Sequence, residues 1–323
     1  VEIVLVRHAE STSNVSGRWQ GQGDAPLSPW GEEQRVALAA RVAERLAAGW
    51  RVDEVIASDL TRAARTGRTS FEGLTLDAAW READVGAWEG LTRAEVASRF
   101  PDEVAALAEG RRDVPLGGGE SLERFWARVD GALEALRARL PADGRAVVFT
   151  HGGVIGALVA SVLGKRAVRP SAGLGRLANT SMTTLHFDAH HPHGRVLVLN
   201  DNAHLGSDAI AAEERRAGAL PVVTLVSADG HEAPDFAGLV APGAPREGLV
   251  EALRALVARA GGASVTLRLE PRALHAAVVL LAHVADERSS ALAISAPEAQ
   301  SHVVLDARGG AALVDHAITP HKL

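Results

Sequence analysis

Near the start of the sequence Glu2 is followed by Ile3-Val4-Leu5-Val6, four consecutive apolar residues with no polar alternation. A strand that is apolar on both faces must be covered on both faces, the condition met by strands of a parallel sheet inside an α/β protein. Ala146–Thr150 repeats the pattern, and both runs end abruptly in polar residues, Arg7-His8 and His151-Gly152-Gly153.

The segments between these strands read as helices. Ser28-Pro29 is a helix start, with serine as N-cap and proline in the first turn. The stretch it opens runs to about Ala48, carries Val42 and Leu46 at i, i+4, and is closed by Gly49. Val52–Ala57 reads as a second strand and Leu60 to about Phe71 as a second helix. From Thr92 to Leu140 the pattern is helical, broken at Pro101 and at Pro115 through Gly119, with Ser121 capping a helix that bears Phe125, Val129, Leu133 and Leu136. Val154–Leu163 is an apolar helix, and strands near Ser181–Phe187 and Arg195–Leu199 complete the first part. Strands alternating with helices predict a three-layer α/β/α architecture around a mostly parallel sheet.

The texture changes after Asn200. Residues 208–219 are rich in Ala, Glu and Arg and read as a linker. A second pattern follows: strand Val222–Val226, helix Glu247–Ala260 with Leu249, Leu253, Leu256 and Val257, strand Ser264–Leu269 and helix Ala273–Val284. Short strands near Ala291–Ser295, His302–Leu305 and Ala312–Val314 end it, and Pro234–Pro245 reads as a surface loop. The expected division is therefore residues 1–207, a linker at 208–219, and a small two-layer α/β domain at 220–323.

Composition bounds the function. Of 323 residues, 47% are hydrophobic and 23% charged, which excludes disorder and collagen-like structure. Net charge is −6, shared equally by the two parts, so neither is a basic arm for nucleic acid or anionic lipid. With no cysteine, a disulfide framework, a thiol nucleophile and Cys-ligated zinc are all excluded. No apolar run reaches the roughly 18–20 residues of a membrane span. No basic-then-apolar leader precedes the first strand, and a cytoplasmic location is the expectation.

The chemistry gathers at strand ends, where open α/β sheets place their ligands. Arg7 and His8 follow the first strand, and Arg62, in ASDLTRAARTG, follows the second. Glu82 lies in WREADVGAWEG and His151 in VVFTHGGV. Two arginines, two histidines and one carboxylate at one sheet edge suit a phosphate group, which Arg binds bidentately with a charge that does not titrate away.

These motifs, in this order, resemble the histidine phosphatase superfamily, the branch that includes phosphoglycerate mutases and small phosphomonoesterases. The resemblance covers about residues 2–201 and rests on RHAES with Asn14, GRWQGQGDAPLSPWG, SDLTRA, READVGAWEG, GGES, THGG and Asn179-Thr180-Ser181. It implies that His8 takes the phosphoryl group as a phosphohistidine, and that Arg7, Arg62 and His151 contact the equatorial oxygens. Glu82 would protonate the leaving oxygen and then deprotonate the attacking water. Asn14, Gln20 and Gly21 match positions on the phosphate or leaving-group side, and the amide of Gly152, at a helix start, can donate to the anion. No metal and no other cofactor is implied, because Arg and His supply the positive charge. The implied partner is a small phosphorylated metabolite.

Some readings stay open at this level. Asp84 and Glu89 compete with Glu82 for the acid role, and Trp19, Trp80 and Trp88 read equally as stacking surfaces or as core. Glu120 and Ser121 read as a helix start without a catalytic part, and Asn179 as a support for the adjacent strand. His186, His190, His191 and His193 suggest metal, but Pro192-His193-Gly194 between two strands reads better as an exposed hairpin loop. The histidines of the second part show no tight ligand spacing. The compact segment after Glu82 favours hydrolysis over mutase-type phosphoryl shuttling, and a phospho-ligand binding or signalling module is the non-enzymatic alternative. For residues 220–323, assembly into a homo-oligomer or regulation is preferred to a lid.

Overall fold

The computed structural model describes residues 1–164, 177–206, 222–227, 246–259, 265–269, 277, 300–305 and 311–318. They belong to two compact units: Val1–Leu158 with Asn179–Ser181, and Val159–Ala178 with Met182–Leu323.

The first unit contains β1 (Glu2–Arg7), a one-turn α1 (Thr12–Val15), α2 (Pro29–Ala47), β2 (Glu54–Ala57), α3 (Thr61–Ser70) and β3 (Thr75–Leu76). Two 3₁₀ turns follow (Ala78–Trp80, Gly86–Trp88), then α4 (Arg93–Arg99), α5 (Pro101–Ala108), α6 (Leu122–Arg139), β4 (Arg145–Thr150) and the start of α7 (Gly152–Val162). Its four strands are parallel in the order β3-β2-β4-β1, with Val147 opposite both Val4 and Val55. Ile3, Val4, Leu5 and Val6 are all buried, as are Val147, Val148 and Phe149. Burial of each large apolar side chain is worth about 1.5–3 kcal/mol. The expected α/β architecture of this part is present.

Local signals explain the helix limits. The Ser28 hydroxyl accepts the amide of Gly31 at 3.0 Å, and Pro29 occupies the first turn of α2. At the other end Gly49 has φ +92°, the left-handed turn that a glycine makes without strain. The apolar stripe of α2 runs through the buried Leu38 and Val42, but Leu46 stays 40% exposed, so the buried face stops a turn earlier than the sequence spacing suggests. Ser121 caps α6 through the amide of Arg124. Packing of α2 on α3, and of α3 on β2 and β4, covers one part of the sheet.

In the second unit β5 (Met182–His186) and β6 (Arg195–Asp201) pair antiparallel. Further strands are β7 (Val222–Ser227), β8 (Val265–Leu269), β9 (Gln300–Leu305) and β10 (Ala311–Ile318), with α8 at Arg246–Arg259. β7 runs parallel to β8 and antiparallel to β9, and β10 lies antiparallel between β9 and β6. Leu249 and Leu253 of α8 are buried. The expected linker 208–219, loop Pro234–Pro245, helix Ala273–Val284 and strand Ala291–Ser295 lie outside the described residues, apart from the single position 277. Among the described residues no helix is long and apolar enough to cross a membrane.

Candidate active site

The parallel register of the first unit fixes what stands at the carboxyl edge of its sheet. Arg7 lies opposite Thr150, and the ladder continues one step further: the His8 amide donates to the carbonyl of Thr150 and the Ser58 amide to that of Phe149, both at 2.9 Å. His8, His151 and Ser58 therefore follow the ends of three adjacent strands, at the edge where α/β sheets bind ligands. The two imidazoles are buried, with ring centroids 5.2 Å apart and planes tilted by 56°.

Hydrogen bonds set the tautomer of the first ring. Nδ1 of His8 lies 2.7 Å from the carbonyl of Ala9, and because a carbonyl only accepts, Nδ1 must carry the proton. In the neutral ring Nε2 then holds an in-plane lone pair. The ring stays neutral because burial, then Arg62, then Arg7 hold its pKa well below 6.5. His151 is held down in the same way by burial, Arg62, His8 and Arg7, with a smaller contribution from Arg128. Its Nε2 is 2.9 Å from the hydroxyl of Ser58, while its buried Nδ1 has no hydrogen-bond partner.

The cations come from the end of β1 and from the first turn of α3. Arg7 is buried against the start of α7, so close that a β-carbon on Gly152 would stand 3.3 Å from its Nε. Arg62 is buried and donates to the carbonyls of Gly23 (2.8 Å) and Gly21 (2.7 Å). Burial lowers its pKa to about 10, against the support of Glu82, Asp24 and Glu89, so it remains a cation at neutral pH. Thr66, one turn along α3, accepts the amide of Ala9 at 3.0 Å and ties this helix to the loop that carries His8.

The three competing carboxylates differ in what they stand beside. Glu89 accepts the amides of Gln22 and Gly23, and Asp84 accepts the amide of Gly86, so both are engaged in holding loops. Glu82 accepts two amides as well, that of Ala83 at 3.0 Å through Oε1 and that of Gly153 at 2.9 Å through Oε2, and the second places it at the N-terminus of α7. It is the carboxylate that stands beside the His151-Gly152-Gly153 turn.

The remaining sequence candidates form the wall of the same edge. Asn14 completes a capping box with Ser11, and its Oδ1 also accepts from Asn179 at 3.1 Å. Asn179 in turn donates to the carbonyl of His8 at 2.9 Å, so it supports the loop that carries His8 directly. The neighbouring Thr180 has φ +59°, a strained value for a β-branched residue, and its amide donates to the carbonyl of Arg7. Gln20 accepts the Ser11 hydroxyl at 2.9 Å through Oε1, while its buried Nε2 has no hydrogen-bond partner. Gly21 has φ +52° and is pressed against Glu89 and Val85, which leaves no room for a side chain.

Two open readings are settled here. Trp80 and Trp88 are core: both are buried, and Trp88 packs on Trp19 and Phe100. Pro192–Gly194 is a turn between β5 and β6, with Asp188 accepting the amides of His190 and His191. Among the described residues no group of three or more His, Asp or Glu side chains is placed to hold a metal ion. Ser58, within SDLTRA, has no part on the motif alone; its place directly after a buried strand is the sequence signal for it.

Residues 3–202 match the family model of the histidine phosphatase superfamily, branch 1. The chain is 38% identical over 189 residues to phosphoglycerate mutase-like protein 4 of Arabidopsis thaliana, covering 56% of this chain and 77% of that one. It is 35% identical over 191 residues to the metal-independent phosphoserine phosphatase of the same plant, covering 57% and 76%. A solved mycobacterial glucosyl-3-phosphoglycerate phosphatase, in complex with inorganic phosphate, is similar with a TM-score of 0.53 and 31% identity, covering 63% of this chain and 98% of that one.

Proposed function

Because the chain belongs to the histidine phosphatase superfamily, branch 1, we propose that it is a metal-independent phosphomonoesterase that passes the phosphoryl group of a small metabolite through His8. The observation that carries this reading is the His8 ring, neutral, with its proton committed to Ala9 and the Nε2 lone pair free in a pocket of buried cations.

The reaction follows from those positions. Nε2 of His8 attacks phosphorus as the ester P–O bond breaks, and Glu82 gives its proton to the departing oxygen, releasing the alcohol. Arg7, Arg62 and the Nδ1 side of His151 stabilise the equatorial oxygens, where charge concentrates during transfer. A bound dianion also favours protonation of His151, so substrate charges a ring that is neutral in the free enzyme. Water then attacks phosphorus, its proton passes to Glu82, and the N–P bond breaks to release phosphate. Asn14, Gln20, Gly21 and the Gly152 amide complete the phosphate and leaving-group side.

Hydrolysis is favoured over phosphoryl shuttling by the segment after Glu82. Its one basic pair is engaged elsewhere: Arg111 is bonded to Asp113, and Arg112 lies over the ring of Trp126. The names of several relatives, phosphoglycerate mutase-like or probable phosphoglycerate mutase, favour the other reading. A panel of sugar phosphates, phosphoglycerates, nucleotides and phosphoamino acids separates the two. A phosphatase releases inorganic phosphate with no additive, whereas a mutase needs priming by bisphosphoglycerate.

Residues 220–323 then serve assembly or regulation, beyond a catalytic domain that ends near residue 207 and a linker at 208–219. The family match ending at residue 202 supports this division. Truncation near residue 210 tests it: unchanged kinetics with a smaller oligomer indicates assembly, and altered substrate preference refutes it.

A further inference from the structure

Glu82 sits on an irregular stretch between the two 3₁₀ turns, where no helix or strand ladder fixes the backbone. Side chains do that instead, and one guanidinium makes the most of these bonds. Arg128, on α6, uses every N–H it has within the protein. Nε and Nη2 donate to the two oxygens of Glu120 at 2.8 and 2.7 Å. Nη1 donates to the carbonyls of Ala79 and Arg81 at 2.9 and 3.0 Å, and Nη2 donates again to the carbonyl of Glu82 itself at 3.2 Å.

Glu120 holds the other side of the same stretch. Its Oε2 accepts the amide of Asp84 at 3.0 Å, and its own amide donates to the carbonyl of Asp84 at 2.8 Å. The carbonyl of Trp80 takes the hydroxyl of Thr150 at 2.8 Å. Backbone groups of residues 79–82 and 84 are thus tied to α6, to the residue preceding its cap, or to β4. The ion pair is largely shielded, with side-chain exposures of 23% for Arg128 and 15% for Glu120.

With its five N–H groups spent, Arg128 has none left for a ligand. We propose that Arg128 and Glu120 form a positioning clamp that sets the carboxyl group of Glu82 for proton transfer, acting through the backbone rather than on the substrate. The inference rests on Glu82 being the general acid. Proton transfer depends steeply on placement, and a displacement of about 1 Å can cost on the order of a hundredfold in rate. The loss falls where the proton is needed. An alkoxide leaves poorly without one, whereas 4-nitrophenolate leaves readily.

The test compares kcat/KM for 4-nitrophenyl phosphate and for an alkyl phosphate, using full-length wild type, Glu82→Gln, Arg128→Ala and Arg128→Lys, with melting temperatures alongside. kcat/KM reports the first phosphoryl transfer, so later hydrolysis of the phosphoenzyme does not mask the effect. In Arg128→Ala the alkyl ester should lose about ten- to a hundredfold more than the aryl ester. Arg128→Lys should show the same bias, because an ammonium keeps the charge but not the five-donor fork. If Arg128→Ala does not fold, the lysine variant decides. Equal losses on both esters in the arginine variants, or a wild-type ratio restored by lysine, overturn the clamp. Absence of the bias in Glu82→Gln overturns the acid role itself, a separate failure.

Discussion

Gly153→Ala is a single-methyl test of where the acid must sit. The Gly153 amide donates to Glu82 Oε2 at 2.9 Å, so the α-carbon lies beside the carboxyl group. A β-carbon there would stand 2.9 Å from Glu82 Cδ and 3.1 Å from Oε2, and closer still to Oε1, against 3.4–4 Å for ordinary contact. The carboxyl group must therefore retreat by about half an ångström to one ångström, enough to cost on the order of 30- to 100-fold in proton transfer. That corresponds to about 2–2.7 kcal/mol of barrier. The helix is not weakened, because alanine is at least as favourable as glycine in its first turn, partly through the unfolded chain. The expected variant is at least as heat-stable as wild type, slow on alkyl phosphates, and within about threefold of wild type on 4-nitrophenyl phosphate, the ester that least needs the acid. Steady-state kinetics on the two esters with a thermal melt reads both effects. A stable variant that hydrolyses the alkyl ester at the wild-type rate refutes the placement of Glu82 as the acid.

Two further outcomes follow from the histidines. Ser58→Ala removes the hydroxyl on His151 Nε2, and loss of that hydrogen bond, worth about 1–1.5 kcal/mol, should lower kcat/KM for both esters by about tenfold without changing their ratio; a change in the ratio would assign Ser58 to the acid side. Stability should depend on pH with a definite sign. Burial, then Arg62 and Arg7, keep His8 neutral in the fold to well below 6.5, while the unfolded chain takes up its proton near that value. Its contribution is constant above pH 6.5 and is lost as pH falls below it. The urea midpoint of wild type should therefore drop more steeply between about pH 7.5 and 5.5 than that of His8→Ala, and equal slopes would contradict the burial argument.

The residues at strand ends were legible because their chemistry and their sheet position are both written locally. An apolar run that stops at Arg7-His8, and another that stops at His151, place three of the five groups once the strands are parallel. Ser28-Pro29 and Gly49 likewise announce the ends of α2. The hydrogen-bond partners were not legible. The tautomer of His8 depends on the carbonyl of Ala9, and the place of Glu82 beside His151, unlike those of Asp84 and Glu89, depends on a hydrogen bond from Gly153. The Arg128–Glu120 pair spans a helix cap, and its carbonyl partners lie 46 to 49 residues away along the chain. No spacing rule connects positions so far apart. Trp80 and Trp88 show the converse: a tryptophan in a loop motif has the composition of a binding surface, and only packing reveals it as core.

The central claim is a covalent bond between phosphorus and one imidazole. Enzyme mixed with a ³²P-labelled monoester and quenched in alkaline denaturant, where an N–P bond survives, should carry label on the peptide containing His8. His8→Ala should carry none and turn over no substrate. Sustained turnover with no label on that peptide, or undiminished hydrolysis by His8→Ala, would contradict the account.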